Sequence, residues 1–231
     1  MLLFCFVLRK LGGVFIMSDS QLNSGTGVDY PSLDAFKRLA QRFAADTTRN
    51  ARRTGYTGLE WTRGESAFLF QGPDGLIIGH VHEGLGTKNL VADAMGGIYY
   101  RNIARDTVAM GVNDLVTLGV LPISVSMHLS VGDATSWFKN SDRAENLIRG
   151  WKEACDDAGC VWSCGETPEL RGIIYPGSSE LSCSVIGSGT IAHVMNPIKV
   201  MDGDAIIFLA SSGIHANGLT RAREVAGMLP A

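Results

Sequence analysis

Apolar residues recur along this chain with two different periods, and each change of period marks an element. Leu33, Phe36, Leu39, Ala40 and Phe43 fall three or four apart, on one face of a helix opened by Pro31-Ser32. The runs at 67–71 and 76–82 are short and β-type, and Gly72-Pro73-Asp74-Gly75 between them is a strong turn signal. From 90 to 118 the spacing is helical again, as two helices, with Val108, Val112, Leu115 and Val116 on a common face. A strand is predicted at 123–131, introduced by Pro122. Ser141 is the predicted N-cap of a helix through Glu145, Leu147, Ile148, Trp151 and Cys155 that ends at Gly159. Residues 160–163 and 181–194 read as strands, the second broken by Gly187 and Gly189. Residues 205–210 read as a buried strand, followed by Ser211-Ser212-Gly213 and a helix from Gly218.

Strands alternate with helices, yet several connections have hairpin length. The pattern predicts an α+β fold, a mixed sheet packed on helices, rather than a doubly wound parallel sheet. Asn196-Pro197 interrupts the pattern and divides the chain into an arm (1–30), a first domain (31–195) and the opening of an incomplete second α/β domain (196–231). Residues 18–30 are polar and without period, as in a flexible arm. Residues 1–16 are apolar apart from Arg9 and Lys10, but the charge follows the apolar run and no small-residue cleavage site succeeds it, unlike a signal peptide. Neither apolar half approaches the roughly 20 residues of a membrane span. A cytoplasmic chain with an ordinary start at Met17 is the expectation.

Composition narrows the picture. A chain of 231 residues with 45% hydrophobic content is not a disordered one. Its net charge of −3, from 20 basic and 23 acidic residues, gives no nucleic-acid footprint, so an anionic ligand needs a local cation. The 28 glycines have no repeat period and imply tight turns and close backbone approaches. Cys5, Cys155, Cys160, Cys164 and Cys183 include no Cys-x-x-Cys pair and no zinc set, and they read as thiols of a reducing compartment.

Four clusters join glycine to polar residues at strand–helix junctions. In Glu83-Gly84-Leu85-Gly86-Thr87-Lys88, two glycines let backbone N–H groups converge, Thr87 adds a hydroxyl, Lys88 a cation and Glu83 a carboxylate. Those are the groups a polyphosphate with Mg²⁺ requires, although the spacing is not that of a Walker loop. A glycine turn with a solvated lysine would use the same residues. Asp106, Met110, Asn113 and Asp114 are helically spaced, with Asp106 and Asn113 on one face two turns apart. Acids among apolar positions suit a cation, or else a helix cap and a surface acid. Cys164-Gly165-Glu166-Thr167-Pro168-Glu169 follows a strand, as a site or as a solvated turn. Ser211-Ser212-Gly213-Ile214-His215-Ala216-Asn217-Gly218 precedes a helix, as an anion site or as its N-cap.

Taken together and in order, these clusters resemble the phosphoribosylformylglycinamidine cyclo-ligase family of the ATP-binding PurM-like superfamily. The family's D-G-V-G-T-K is similar to Glu83–Lys88, its V-A-M-x-V-N-D-L to Val108–Leu115, and the superfamily's D-x4-G-A-x-P to Asp114–Pro122. Its G-G-E-T-A-E-M-P-G resembles Cys164–Gly172, and its S-S-G-x-H-S-N-G resembles Ser211–Gly218. Glu83 stands for the family's Asp, Cys164 for a Gly, and Tyr175 where some members carry a His. The resemblance implies ATP-dependent closure of formylglycinamidine ribonucleotide to aminoimidazole ribonucleotide, with ADP and phosphate released, in purine biosynthesis. It implies ATP and Mg²⁺ as cofactors, a ribonucleotide substrate, and a homodimer paired through the sheet. Lys88, Glu83 and Asp114 would then be catalytic. Gly84, Gly86, Thr87, Lys88, Asn113, Thr167, Ser212, Gly213, His215 and Asn217 would face ATP or phosphate, and Glu83, Asp106, Asp114 and Glu166 the metal. Two rival readings fit the same residues: another ATP-using kinase or synthetase of the superfamily, or a dimeric ATP-binding paralogue without turnover.

Overall fold

The computed structural model of the chain describes residues 29–195, 200–211, 213–215 and 217–228. Residues 1–28 of the arm, with Cys5 and the start at Met17, the boundary at Asn196-Pro197, and Ser212 lie outside the described residues, while Asp29 and Tyr30 of the predicted arm open the first helix. In chain order the elements are helix α1 (Tyr30–Thr47), strands β1 (Thr57–Gly58), β2 (Phe68–Gln71) and β3 (Leu76–Gly84), helices α2 (Lys88–Met95) and α3 (Tyr100–Val116), and strand β4 (Leu121–Val131). Helices α4 (Ala134–Phe138) and α5 (Ser141–Ala158), strands β5 (Val161–Glu166) and β6 (Ser179–Thr190), and helix α6 (Leu219–Met228) follow. The strands form one sheet in the order β1-β2-β3-β6-β4-β5. Every neighbouring pair is antiparallel except β4 with β5, so the sheet is mixed, as the pattern predicts.

Local chemistry accounts for most boundaries. Asp29 Oδ1 accepts from Ser32 N at 3.2 Å and Pro31 sits in the first turn of α1. The cap of α5 is Asn140 rather than Ser141: Asn140 Oδ1 accepts from Arg143 N at 3.3 Å, and Asn caps as well as Ser does. As predicted, α5 ends at Gly159, whose φ of 66° is left-handed.

Helix α3 lies across β3 and β6, and α5 packs on α3. Leu69, Ile77, Val81, Val125, Leu129, Leu181, Cys183 and Val185 point from the sheet toward these helices, alternating with residues of the other face. Trp137, Trp151, Tyr100 and Leu115 complete this core, and burying each apolar side chain of this size contributes about 1.5–3 kcal/mol. The helix–sheet distance is set by Gly111: a Cβ there would lie 2.5 Å from Val185 Cγ2 and 2.9 Å from Cys183 Sγ.

The opposite sheet face is open at His82, Ser184, Ser126 and Ile186, which is 45% exposed, while nearer β2 its Phe68, Phe70 and Ile78 line a cavity together with Ala44 and Thr47 of α1. Helix α1 forms where its apolar period predicts, but Leu33, Phe36 and Phe43 on it are exposed.

Four elements differ from the sequence reading. Strand β3 runs on through Glu83 and Gly84, which pair with Cys183 and Ser182, and β5 runs on through Cys164, Gly165 and Glu166 beside β4. Both extensions arise because a neighbouring strand continues alongside, a non-local effect. Strand β6 is not broken at Gly187. A Cβ at that position would lie 2.4 Å from Leu121 O, so the glycine permits close pairing inside the strand. Residues 205–210, predicted as a buried strand, lie in no strand, and Ile207 and Leu209 are fully exposed to solvent, at 81% and 92%. Strand propensity needs a neighbouring edge to act on, and no ladder includes this run. Among the described residues no helix is long and apolar enough to cross a membrane.

Replacing Gly111 by Ala sets a gain in helix propensity of about 1 kcal/mol against overpacking of about 1–3 kcal/mol. The overpacking term dominates because β6 backbone fixes both clashing groups. Gly111→Ala is therefore expected to lower the thermal midpoint by a few degrees in a calorimetric scan. A raised midpoint would show that α3 does not rest this closely on the sheet.

Candidate functional site

The junction of β3 and α2 supplies the first cluster. Leu85 is buried and its N–H donates to Leu181 O at 2.8 Å, which anchors the turn to β6. Gly86 follows with φ 70°, a conformation that side chains rarely adopt. Thr87 occupies the cap position of α2 without a side-chain cap bond, and Lys88 is the first residue of the helix. Gly84, Gly86 and Thr87 are exposed, so the turn that leads into α2 faces solvent, while Asn89 in the first turn of the helix is buried. A helix N-terminus and an ammonium meet at one point, which is favourable for an anion.

Lys88 does not lie free in solvent. Its Nζ makes an ion pair with Asp106 on α3 and donates to His215 O at 2.9 Å, and the two side chains are 17% and 29% exposed. The first cluster and the Ser-Gly-His loop thus meet at this ammonium. Within the loop, Ser211 Oγ donates to Gly213 O at 2.7 Å and lies 3.2 Å from His215 Nε2. Asn217 is exposed beside them.

Glu83 is on the helix-facing side of β3 and its carboxyl is hydrogen-bonded to that of Asp114 on α3. Burial pushes Glu83 above the usual carboxylate range, the adjoining Asp114 charge adds to it, and Lys37 of α1 opposes it. Burial pushes Asp114 up as well, against the effect of the Glu83 hydrogen bond. The two carboxyls are neighbours, and burial raises both of them. Ser66 Oγ donates to Asp114 O at 2.9 Å, and Thr117 Oγ1 donates to the same oxygen at 2.8 Å, which fixes this end of α3. A cavity of about 330 Å³ adjoins the pair, lined by Gln41, Arg63, Ser66, His82 and Glu83 among others. Lys37 had no distinguishing sequence signal: on the polar side of an amphipathic helix it reads as a solvated cation.

The predicted residues therefore fall into separate groups. Asp106 and Asp114 are eight residues apart on one helix, which places the Lys88 ion pair and the carboxyl pair about 12 Å apart along its axis. Asn113 is exposed beside Asp114. Glu166 pairs with His128, whereas Glu83 shares its row with Cys183 and Met127, so Glu166 projects from the opposite face of the sheet. Thr167 is exposed next to it. The other acid of that cluster, Glu169, accepts from Ala134 N at 3.2 Å and from Arg171 Nε at 2.7 Å, which ties it to the start of α4.

Among the described residues no three His, Cys, Asp or Glu side chains converge as a metal cage. The four carboxylates named for Mg²⁺ thus reduce to one pair. Mg²⁺ is ordinarily held by one or two carboxylates together with substrate phosphate oxygens and water, and Glu83 with Asp114 fits that donor set.

The family described as AIR synthase related protein, N-terminal domain, matches residues 64–191, more than half of the chain. A phosphoribosylformylglycinamidine cyclo-ligase of Carboxydothermus hydrogenoformans is 37% identical over 62% of this chain and 39% of its own length. The protein of the same name from Symbiobacterium thermophilum is 34% identical over 81% of this chain and 51% of its own, and that of Myxococcus xanthus is 33% identical over 87% and 55%. The chain thus spans about half the length, or less, of these curated relatives. A solved structure of T. maritima PurL complexed with ATP is 15% identical over 58% of this chain and 22% of that one, with a TM-score of 0.43, too slight a likeness to bear on function. The matched span contains β2 to β6, both acids of the carboxyl pair and Lys88 with its partner Asp106, and by that match this chain belongs to the AIR synthase related protein family through its N-terminal domain.

Proposed function

We propose that this chain binds the phosphates of ATP in an ATP-dependent cyclo-ligase that converts formylglycinamidine ribonucleotide to aminoimidazole ribonucleotide. The observation that carries this reading is Lys88: a largely covered ammonium at the head of α2, directly after an exposed glycine turn. Relatives named for that reaction support the choice of substrate.

In this reading the formyl oxygen of the substrate takes the terminal phosphoryl group of ATP. A nitrogen of the same molecule then closes the ring, and phosphate leaves with the former formyl oxygen. Lys88 and the first N–H groups of α2 stabilise the negative charge on the transferred group. Glu83 and Asp114 are the residues that would hold Mg²⁺, which when bound neutralises phosphate charge. His215 and the Ser211 loop approach from the other side of Lys88 and contribute polar groups to the same anion.

Two copies are proposed to pair through the open part of the sheet face around Ile186. Beside it, an apolar cavity of about 680 Å³ under α1 is lined by Phe68, Phe70, Tyr56 and Ile78 among others. Pairing removes this surface from water.

Lys88→Ala is expected to weaken MgATP binding at least about tenfold in calorimetry, a loss of about 1.4 kcal/mol. Undiminished affinity would overturn the site. A second test uses the carboxyl pair. Its raised titration means that the proton is retained above the ordinary carboxylate range, so the pair favours the fold at low pH and loses that contribution as pH rises through the raised values. Glu83→Gln keeps a hydrogen bond to Asp114 without the second charge. Its thermal midpoint is expected to exceed wild type by about 2 °C at pH 8, a figure reduced for solvent screening, with the gain gone near pH 4. A lower midpoint at pH 8 would argue against that raised titration. For the dimer, Ile186→Asp on the open face should give a monomer in light scattering where wild type gives a dimer. A monomeric wild type would refute the pairing.

A further inference from the structure

The acid at position 106 is in a different situation from the other acids of the site. Arg101 and Arg105, its neighbours on α3, are turned toward α5, where Arg101 pairs with Glu153 and Arg105 with Asp157. Asp106 is left facing α2, and its ion pair is with Lys88. An ammonium has three N–H donors. Asp106 takes one and His215 O takes a second at 2.9 Å, each from a different segment of the chain. A four-carbon lysine side chain normally keeps much of its rotamer freedom, and two acceptors on separate elements remove it before any ligand arrives.

We propose that Asp106 is a positioning residue for Lys88 and not a ligand of the metal. It holds the ammonium at the mouth of the glycine turn with one N–H still open toward a phosphate oxygen. The assignment rests on the nucleotide-phosphate reading above and deepens it. It also divides the labour along α3. One turn carries the counter-ion of the phosphate-binding cation, and the turn about 12 Å further on carries the carboxyl pair that suits a divalent cation.

The test compares wild type with Asp106→Asn, which keeps the shape of the side chain and removes its charge, and with Asp106→Glu, which keeps the charge. The first readout is acetylation of Lys88 by acetic anhydride, followed by peptide mass spectrometry. Freed from its counter-ion, Lys88 should label about fivefold faster in Asp106→Asn and within about twofold of wild type in Asp106→Glu, with Lys139 and Lys152 unchanged as internal controls. The second readout is the Mg²⁺ concentration that half-saturates ATP binding. It should stay within about twofold of wild type in Asp106→Asn, because the cation's own ligands are untouched. Equal labelling in all three proteins would overturn the proposal. So would a rise of about tenfold in the Mg²⁺ requirement, the result a metal ligand would give. A wild-type chain that binds no MgATP would refute the nucleotide reading, while the labelling comparison would still decide whether Asp106 positions Lys88.

Discussion

The seating of α3 on the sheet is the constraint from which the site follows. At Gly111 the helix rests directly on the Val185 and Cys183 side chains of β6, and at Gly150 of α5 a Cβ would lie 2.2 Å from Arg101 O, so α5 is pressed closely on α3. With one face seated on buried side chains and the other on backbone, α3 has little freedom to slide or roll. Asp106 and Asp114 are carried on that rigid rod, and each meets its partner at a fixed point near the end of β3. A looser helix with a leucine in place of Gly111 would still bury apolar area, but it would not hold two polar contacts in register with one strand.

The molecule is finished on one side only. The helix-covered face of the sheet is a dense core, whereas the open part of the other face and the apolar stripe of α1 remain exposed. An amphipathic helix draws most of its stability from the surface it packs on, not from propensity. Within the described residues α1 rests chiefly on the turn of 48–54. Its apolar stripe of Leu33, Phe36, Leu39 and Phe43 therefore contributes little burial within the described residues.

What could be read from the sequence was whatever depends on neighbours in the chain. The hairpin at Gly72–Gly75, the two helices between 90 and 118, and the left-handed stop at Gly159 all follow from local residue chemistry. The glycine loop and its lysine were also legible, since strand, turn and helix follow one another within a few residues. What escaped depends on pairing. Glu166 looked like a site acid beside Glu83 because both follow or end strands, yet the parallel register of β5 with β4 sends it to the other face. The ion pair of Asp106 with Lys88, eighteen positions earlier, was not legible either, because only tertiary packing joins the two. The run at 205–210 has strand composition but joins no strand ladder among the described residues. No periodicity encodes any of these.

The hydrogen bond from Lys88 to His215 O joins positions 127 residues apart. The β3–β6 ladder also joins distant parts of the chain, but it does so through nine residue pairs that support one another. Met195 N donates to Leu118 O at 3.0 Å, so the chain is tied to the sheet and α3 as far as 195, and only the twenty residues from there to 215 remain to be closed. The ammonium acquires its second acceptor only when that stretch is seated, so the state of Lys88 reports on the placing of the His215 loop.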